Sequence, residues 1–158
     1  MHRNAALSFS ASLLVFGVGC AADVPEEDPS QTTGYAHAVY HDSCSPVDGY
    51  AQVLALTQTP VEEPYGWEGP RLTVDFFRPP FLTQEGVHES HGDEYDVGVA
   101  RRCGAADDCQ NAVEFRVRTE PLREDGTVEG YLTAVFPGGE VVAGSFSARH
   151  IPFEAICG

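Results

Sequence analysis

From Tyr35 onward, apolar residues recur at every second position rather than every third or fourth. Val113, Phe115 and Val117 alternate with Glu114, Arg116 and Arg118, giving a strip with one apolar and one charged face. Side chains of a strand point alternately to its two faces, so this period marks half-buried β-strands. The same pattern, broken by Gly, Pro and Asp clusters, predicts strands at 35–42, 50–58, 71–78, 94–102, 112–119, 126–136 and 140–150, with an edge strand near 81–88. No stretch carries a 3.6-residue apolar repeat with helix caps.

The second half reads most clearly. Tyr95, Val97 and Val99 share one side of a strand, and a turn around Cys103 and Cys109 is expected to join it to 112–119 as a hairpin. Val128, Leu132, Ala134 and Phe136 form the next apolar face, and Val142, Phe146 and Ala148 the one after it. Between those two lies Pro137-Gly138-Gly139, whose glycines can take the positive φ angles of a tight turn. Short strands at near-regular spacing predict an all-β domain over 35–158, an antiparallel β-sandwich of about seven or eight strands.

The first residues follow another rule. Arg3 precedes an uncharged run, Ala5 to Gly19, and small residues follow. A spanning helix needs about 20 apolar residues, so the run suits a secretory signal better than a membrane span. Residues 1–19 are therefore expected to be a signal peptide. The following stretch to Gly34 is acidic, Pro-bearing and poor in large apolar side chains, and is expected to be a disordered linker over 20–34.

The junction Val18-Gly19-Cys20-Ala21 resembles a bacterial lipobox. That resemblance implies a diacylglyceryl group on Cys20, which becomes the new N-terminus, and Ala21 implies onward sorting to an outer membrane. Ordinary cleavage after Ala21 or Ala22 would instead discard Cys20. Two acyl chains anchor stably, each buried methylene adding about 0.8 kcal/mol. At the other end, the run from Gly126 through Gly138-Gly139 and Gly144-Ser145-Phe146 to Cys157 is similar to small lipoproteins of unassigned function. The expected partners are a membrane, reached through the lipid on Cys20, and an envelope protein or glycan; the second resemblance itself implies a fold and a cell-envelope address. It implies no activity.

With Cys20 set aside, Cys44, Cys103, Cys109 and Cys157 remain, an even number suited to an oxidising compartment. Cys103 and Cys109 flank a short turn and are expected to pair locally, leaving Cys44 for Cys157. The chain has 24 acidic residues against nine arginines and no lysine. Nucleic acid and anionic headgroups are repelled by such a charge. Schiff-base, P-loop and Ser-Lys chemistry all require a lysine that is absent.

Candidate chemistry is sparse. His37 and His41 would share a strand face but stand about 13 Å apart, too far for one ion. In the polar run from His88 to Asp96, a loop could gather His88, His91 and Asp93 round a metal, although it matches neither His-Glu-x-x-His nor an EF-hand. No cofactor is expected. Ser145 falls inside a predicted strand, where a nucleophile elbow does not form, and no catalytic residue is assigned. Asp75 is expected on an exposed sheet face. Tyr65 and Trp67, in a Gly/Pro loop, are the candidate binding aromatics, with a core-plugging role as the plainer reading of Trp67. The expected function is a non-catalytic binding or structural module of the cell envelope, with a hydrolase using carboxylates or a metal near His88 and His91 as the alternative.

Overall fold

Nine strands follow from that alternation in the computed structural model, which describes residues 27–28, 30–46, 49–64, 67, 69–91, 98–105 and 108–157. They are β1 (His37–Cys44), β2 (Tyr50–Thr57), β3 (Arg71–Phe76), β4 (Gly86–His91), β5 (Gly98–Cys103), β6 (Cys109–Asn111), β7 (Glu114–Thr119), β8 (Thr127–Val135) and β9 (Val141–His150). Among the described residues there is no helix. All nine strands belong to one open sheet in the order β4-β7-β8-β9-β1-β2-β3-β5-β6. The signal segment and Cys20, Tyr65, Asp93, Tyr95 and Val97 lie outside the described residues.

Two expectations are corrected. The sheet is mixed rather than antiparallel, because β1 and β9 run parallel through Ala38–Ala148, Val39–Arg149 and Tyr40–His150. The expected hairpin is also different: Cys103 turns back into the short β6, while β5 pairs with β3 and β7 pairs with β4 and β8. Crossing from one half of the sheet to the other at Ala112-Val113 leaves Val113 exposed. Val99 points away from the core, which Gly98 and Ala100 face instead.

The register explains the core. Tyr40, Leu54, Val74 and Ala100 stand side by side across β1, β2, β3 and β5. On the same sheet face, Val117 stands beside Leu132 and Phe115 beside Ala134 across β7 and β8. These residues belong to one buried cluster. The sheet therefore curls so that a single face closes on itself. Phe76 of β3 meets Phe115 of β7 at a ring separation of 6.4 Å and His88 of β4 at 4.7 Å, although these strands are far apart in the sheet order. Fully burying one such leucine or phenylalanine contributes about 1.5–3 kcal/mol.

The β8–β9 hairpin turns through Gly138 and Gly139 at φ 92° and 82°, as expected from the sequence. Both cysteine pairs also form as expected: Cys44–Cys157 with Cα atoms 5.4 Å apart, and Cys103–Cys109 with Cα atoms 4.0 Å apart, facing each other across β5 and β6.

Part of the segment assigned to the linker makes contacts with this sheet. The Ser145 N–H donates to the Gln31 carbonyl at 2.8 Å, and Thr32 forms a parallel bridge to Ser145. Thr33 is buried. Further back, the Asp28 N–H donates to the Tyr131 hydroxyl, and Glu27 reaches the Arg118 guanidinium at 2.8 Å. The chain thus runs beside β9 and then over the outer side of β8 to β7. Gly144, at φ 153°, makes room for it, because a Cβ there would collide with the backbone of Thr32 and Thr33.

Candidate functional site

The outer side of the β1–β2–β3–β5 half carries a second, smaller apolar cluster. Val39 and Ala55 alternate with the core positions of β1 and β2, so they face outward, and Val61 and Ile151 cover them. Val61 belongs to the loop between β2 and β3, and its carbonyl accepts a hydrogen bond from Arg149 at 2.8 Å. Ile151 belongs to the C-terminal tail, whose N–H donates to the Tyr40 carbonyl at 2.8 Å. The Cys44–Cys157 bridge ties the end of that tail to the end of β1.

Trp67 packs against this outer cluster, not in the main core, so it does not plug the end of a sandwich. Its indole N–H donates to the Glu63 carbonyl at 2.7 Å, which fixes the ring within its own loop. The ring meets His41 edge-on at 5.6 Å, and Phe153 of the tail meets the same histidine at 6.1 Å. His41 is 1% exposed, and its Nδ1–H donates to the Asp42 carbonyl at 2.7 Å. Burial pulls its pKa down, opposed by that hydrogen bond and by the Asp42 charge.

Beside Trp67 the sheet is concave. A cleft of about 420 Å³ is lined by His41, Trp67, Arg71, Thr73, Asp75 and Arg101 among others. Register alone assembles it. His41 pairs with Val53 and Val53 with Asp75, while Thr73 pairs with Arg101, so residues from four strands share one outward patch. Asp75 does stand on the outer face, but its side chain is only 22% exposed. Burial raises its pKa, and Arg101 opposes the rise from 3.8 Å away. The patch thus offers a fixed indole, a partly desolvated carboxylate, guanidinium groups and a hydroxyl. That is the equipment of a polar, ring-shaped ligand site: an apolar surface for one face and a few placed donors and acceptors for the edge.

Two other concavities are less suited. One of about 570 Å³ includes Arg102, but Glu140 and Gln110 bind that guanidinium, which also stacks on Phe136 at 4.5 Å. The other, of about 400 Å³, lies on the outer side of β7, β8 and β9, where its lining residues Arg118, Tyr131 and Ser145 also meet Glu27, Asp28 and Gln31.

His88 does not stand in a loop. It lies in β4, 3% exposed, packed edge-on against Phe76 inside the core. Its Nε2 is buried with no hydrogen-bond partner among the described residues, and burial holds its pKa down at about 4. His91 ends the same strand, opposite Glu114. Positions three apart on a strand belong to opposite faces, so a spacing that serves a loop does not serve this one. Among the described residues no group of three or more His, Cys, Asp or Glu could hold a metal ion. Ser145 sits within β9, as its flanking alternation predicts.

His41, Asp75 and Arg101 were not legible as a set. They lie on three different strands, and only the non-local pairing of those strands brings them together. Searches of family models, curated proteins and solved structures find nothing that matches this chain.

Proposed function

We propose that this chain is a non-catalytic, lipid-anchored binding module of the cell envelope, and that the Trp67 concavity is its recognition site for a saccharide. The observation that carries the reading is the convergence of Trp67, Asp75 and Arg101 on one open concavity, on the opposite side of the sheet from the core. Indole faces stack on sugar rings, and carboxylate and guanidinium groups bind hydroxyls in pairs. The anchor and the envelope address rest on the lipobox-like residues Val18 to Cys20 and on the paired cysteines. In architecture, this reading treats the curled sheet as a sandwich, with β4, β7, β8 and β9 as one layer and β1, β2, β3, β5 and β6 as the other. The hydrolase alternative loses its best residue, because His88 faces Phe76 in the core.

Calorimetric titration with oligosaccharides released from envelope polysaccharide tests the site. Trp67→Ala and Arg101→Ala should each weaken binding about tenfold or more, the usual cost of truncating a central anchor. Unchanged affinity in both variants, or no saccharide bound by the wild type, refutes the proposal.

A further inference from the structure

Glu27 stands seven residues after Cys20. Seven residues of chain reach at most about 25 Å, whatever their conformation. An anchor at Cys20 therefore cannot lie farther than that from the Glu27 backbone, whose side chain meets Arg118. That point is fixed on the sheet by several independent contacts. The Gln31 carbonyl accepts from Ser145, the Gln31 side chain accepts from the Tyr131 hydroxyl, and Thr33 is buried. Gly144 supplies the space without which this path closes.

The two outer sides of the molecule point in opposite directions. Phe76 of β3 and Phe115 of β7 touch across the core. Alternation then sends Asp75 of β3 outward on one side, and Arg116 and Arg118 of β7 outward on the other. The strap ends on the second side, and the Trp67 concavity opens on the first.

We propose that residues 27–28 and 30–33 act as a strap that orients the domain on the lipid surface. The outer side of β7 and β8 is turned towards the membrane, and the concavity away from it. This rests on lipid attachment at Cys20, and it adds to the binding reading a direction of access: ligands arrive from the aqueous side. A short leash held on the face opposite the site keeps the site open, whereas a free leash would let the domain tumble and hide it.

The mature chain from Cys20, with its other four cysteines paired, offers one free thiol for coupling to a maleimide lipid in liposomes. Fluorophores on unnatural residues replacing Glu120, on the strap side, or the exposed Glu62, two residues before Pro64 in the loop that helps line the concavity, report energy transfer to headgroup acceptors. Transfer from position 120 should exceed that from position 62 by about twofold or more, given a leash of about 25 Å. Inserting about twelve Gly/Ser residues after Ala22 should bring the ratio towards one, because a long flexible linker no longer restricts the domain. Gly144→Val should do the same, and the insertion decides the matter if that variant fails to fold. Equal transfer from the two sites of the wild type, or a ratio that survives the insertion, overturns the orientation. Mass spectrometry of Cys20 in the cell-made protein tests the anchor separately: no diacylglyceryl group there sinks the anchor reading, while the coupled liposomes still judge the strap.

Discussion

The two outer sides of this one sheet are finished in different ways. Over β7, β8 and β9 the surface is an alternation of charges: Arg116 with Glu89, Arg118 with Glu27 and Glu120, Arg123 with Glu129. The chain that crosses it satisfies its polar groups with backbone and hydroxyl partners. Exposed pairs of this kind contribute about 0–1 kcal/mol each, so that side is held by many weak, satisfied contacts. Over β1, β2, β3 and β5 the cover is apolar, made by Val61, Trp67 and Ile151. There His41 and Asp75 are kept in surroundings that disfavour their charged forms. Polar groups desolvated beside an open concavity cost stability and gain recognition, and such groups collect at functional sites. The contrast fits the proposal of attachment on the first side and binding on the second.

The largest test of this contrast removes the bridge on which the apolar cover depends. Replacing Cys44 and Cys157 by serine frees a loop of over a hundred residues, which the chain-entropy model values at about 4 to 5 kcal/mol. The seven-residue ring of Cys103 and Cys109 is valued at about 2 to 2.5 kcal/mol. Urea unfolding of the two double mutants should rank them in that order. Phe153 should also lose its contact with His41 in the first variant only, visible as a shifted imidazole resonance.

Next comes His88, a buried polar group that belongs to neither outer side. Its pKa is lowered to about 4 from 6.5. A histidine kept neutral in the fold stabilises it fully above the unfolded value. Below about pH 6.5 the unfolded chain takes up a proton that the folded chain refuses, so stability falls until about pH 4. The loss through this one group is about 3 kcal/mol at most, at 1.36 kcal/mol per pKa unit. His88→Phe should flatten most of that slope and leave stability at neutral pH equal or higher, because no unpartnered nitrogen stays buried. Some slope should survive from His41, whose pKa is also lowered. Denaturant midpoints measured across this pH range decide it, and an unchanged slope in the variant would remove His88 from the account.

His88 also shows where the sequence was legible and where it was not. Alternation alone located β7, β8 and β9, the Gly138-Gly139 turn and the inward faces of Phe115 and Val117. Those features are local, set by the two-residue period of a strand and by the residues a turn requires. The polar residues that follow the expected edge strand near 81–88 suggest a loop from about His88 onward. Yet β4 is an edge strand that sends His88 and Ser90 into the core, where tertiary packing overrides composition. The parallel pairing of β1 with β9 and the antiparallel pairing of β3 with β5 join segments whose order in the chain says nothing about their neighbours in the sheet. The concavity of His41, Asp75 and Arg101 inherits that silence, since each of its residues looks ordinary in its own strand.

A smaller effect should follow from closing the strap's path. In Gly144→Val the new side chain meets the Thr32 backbone, and the backbone itself is in a conformation that valine resists. The cost should be about 1 to 3 kcal/mol. It should fall mainly on residues 27–28 and 30–33, with hydrogen exchange accelerating at Ser145, whose N–H loses the Gln31 carbonyl, while the β1–β2–β3 amides stay protected. Uniform acceleration would mean that the strap is part of the cooperative core, and the distinction between the two sides would weaken.

The smallest expected change in stability comes with the sharpest separation of stability from binding. Asp75 is held half-buried with its pKa raised, first by burial and against the opposing pull of Arg101. A carboxylate whose folded pKa lies above its unfolded value of 3.8 adds stability in acid and loses it as pH rises through the folded value. Asp75→Asn removes the charge that the fold disfavours, so at neutral pH it should cost little or stabilise, by about 1 kcal/mol or less. Saccharide affinity should fall in the same variant, because an amide accepts from hydroxyls and orients Arg101 less well than a carboxylate. A variant that folds as well as the wild type and binds worse is what a recognition residue produces. If binding instead holds while stability drops, Asp75 belongs to the structure, and the apolar side loses its claim to the ligand.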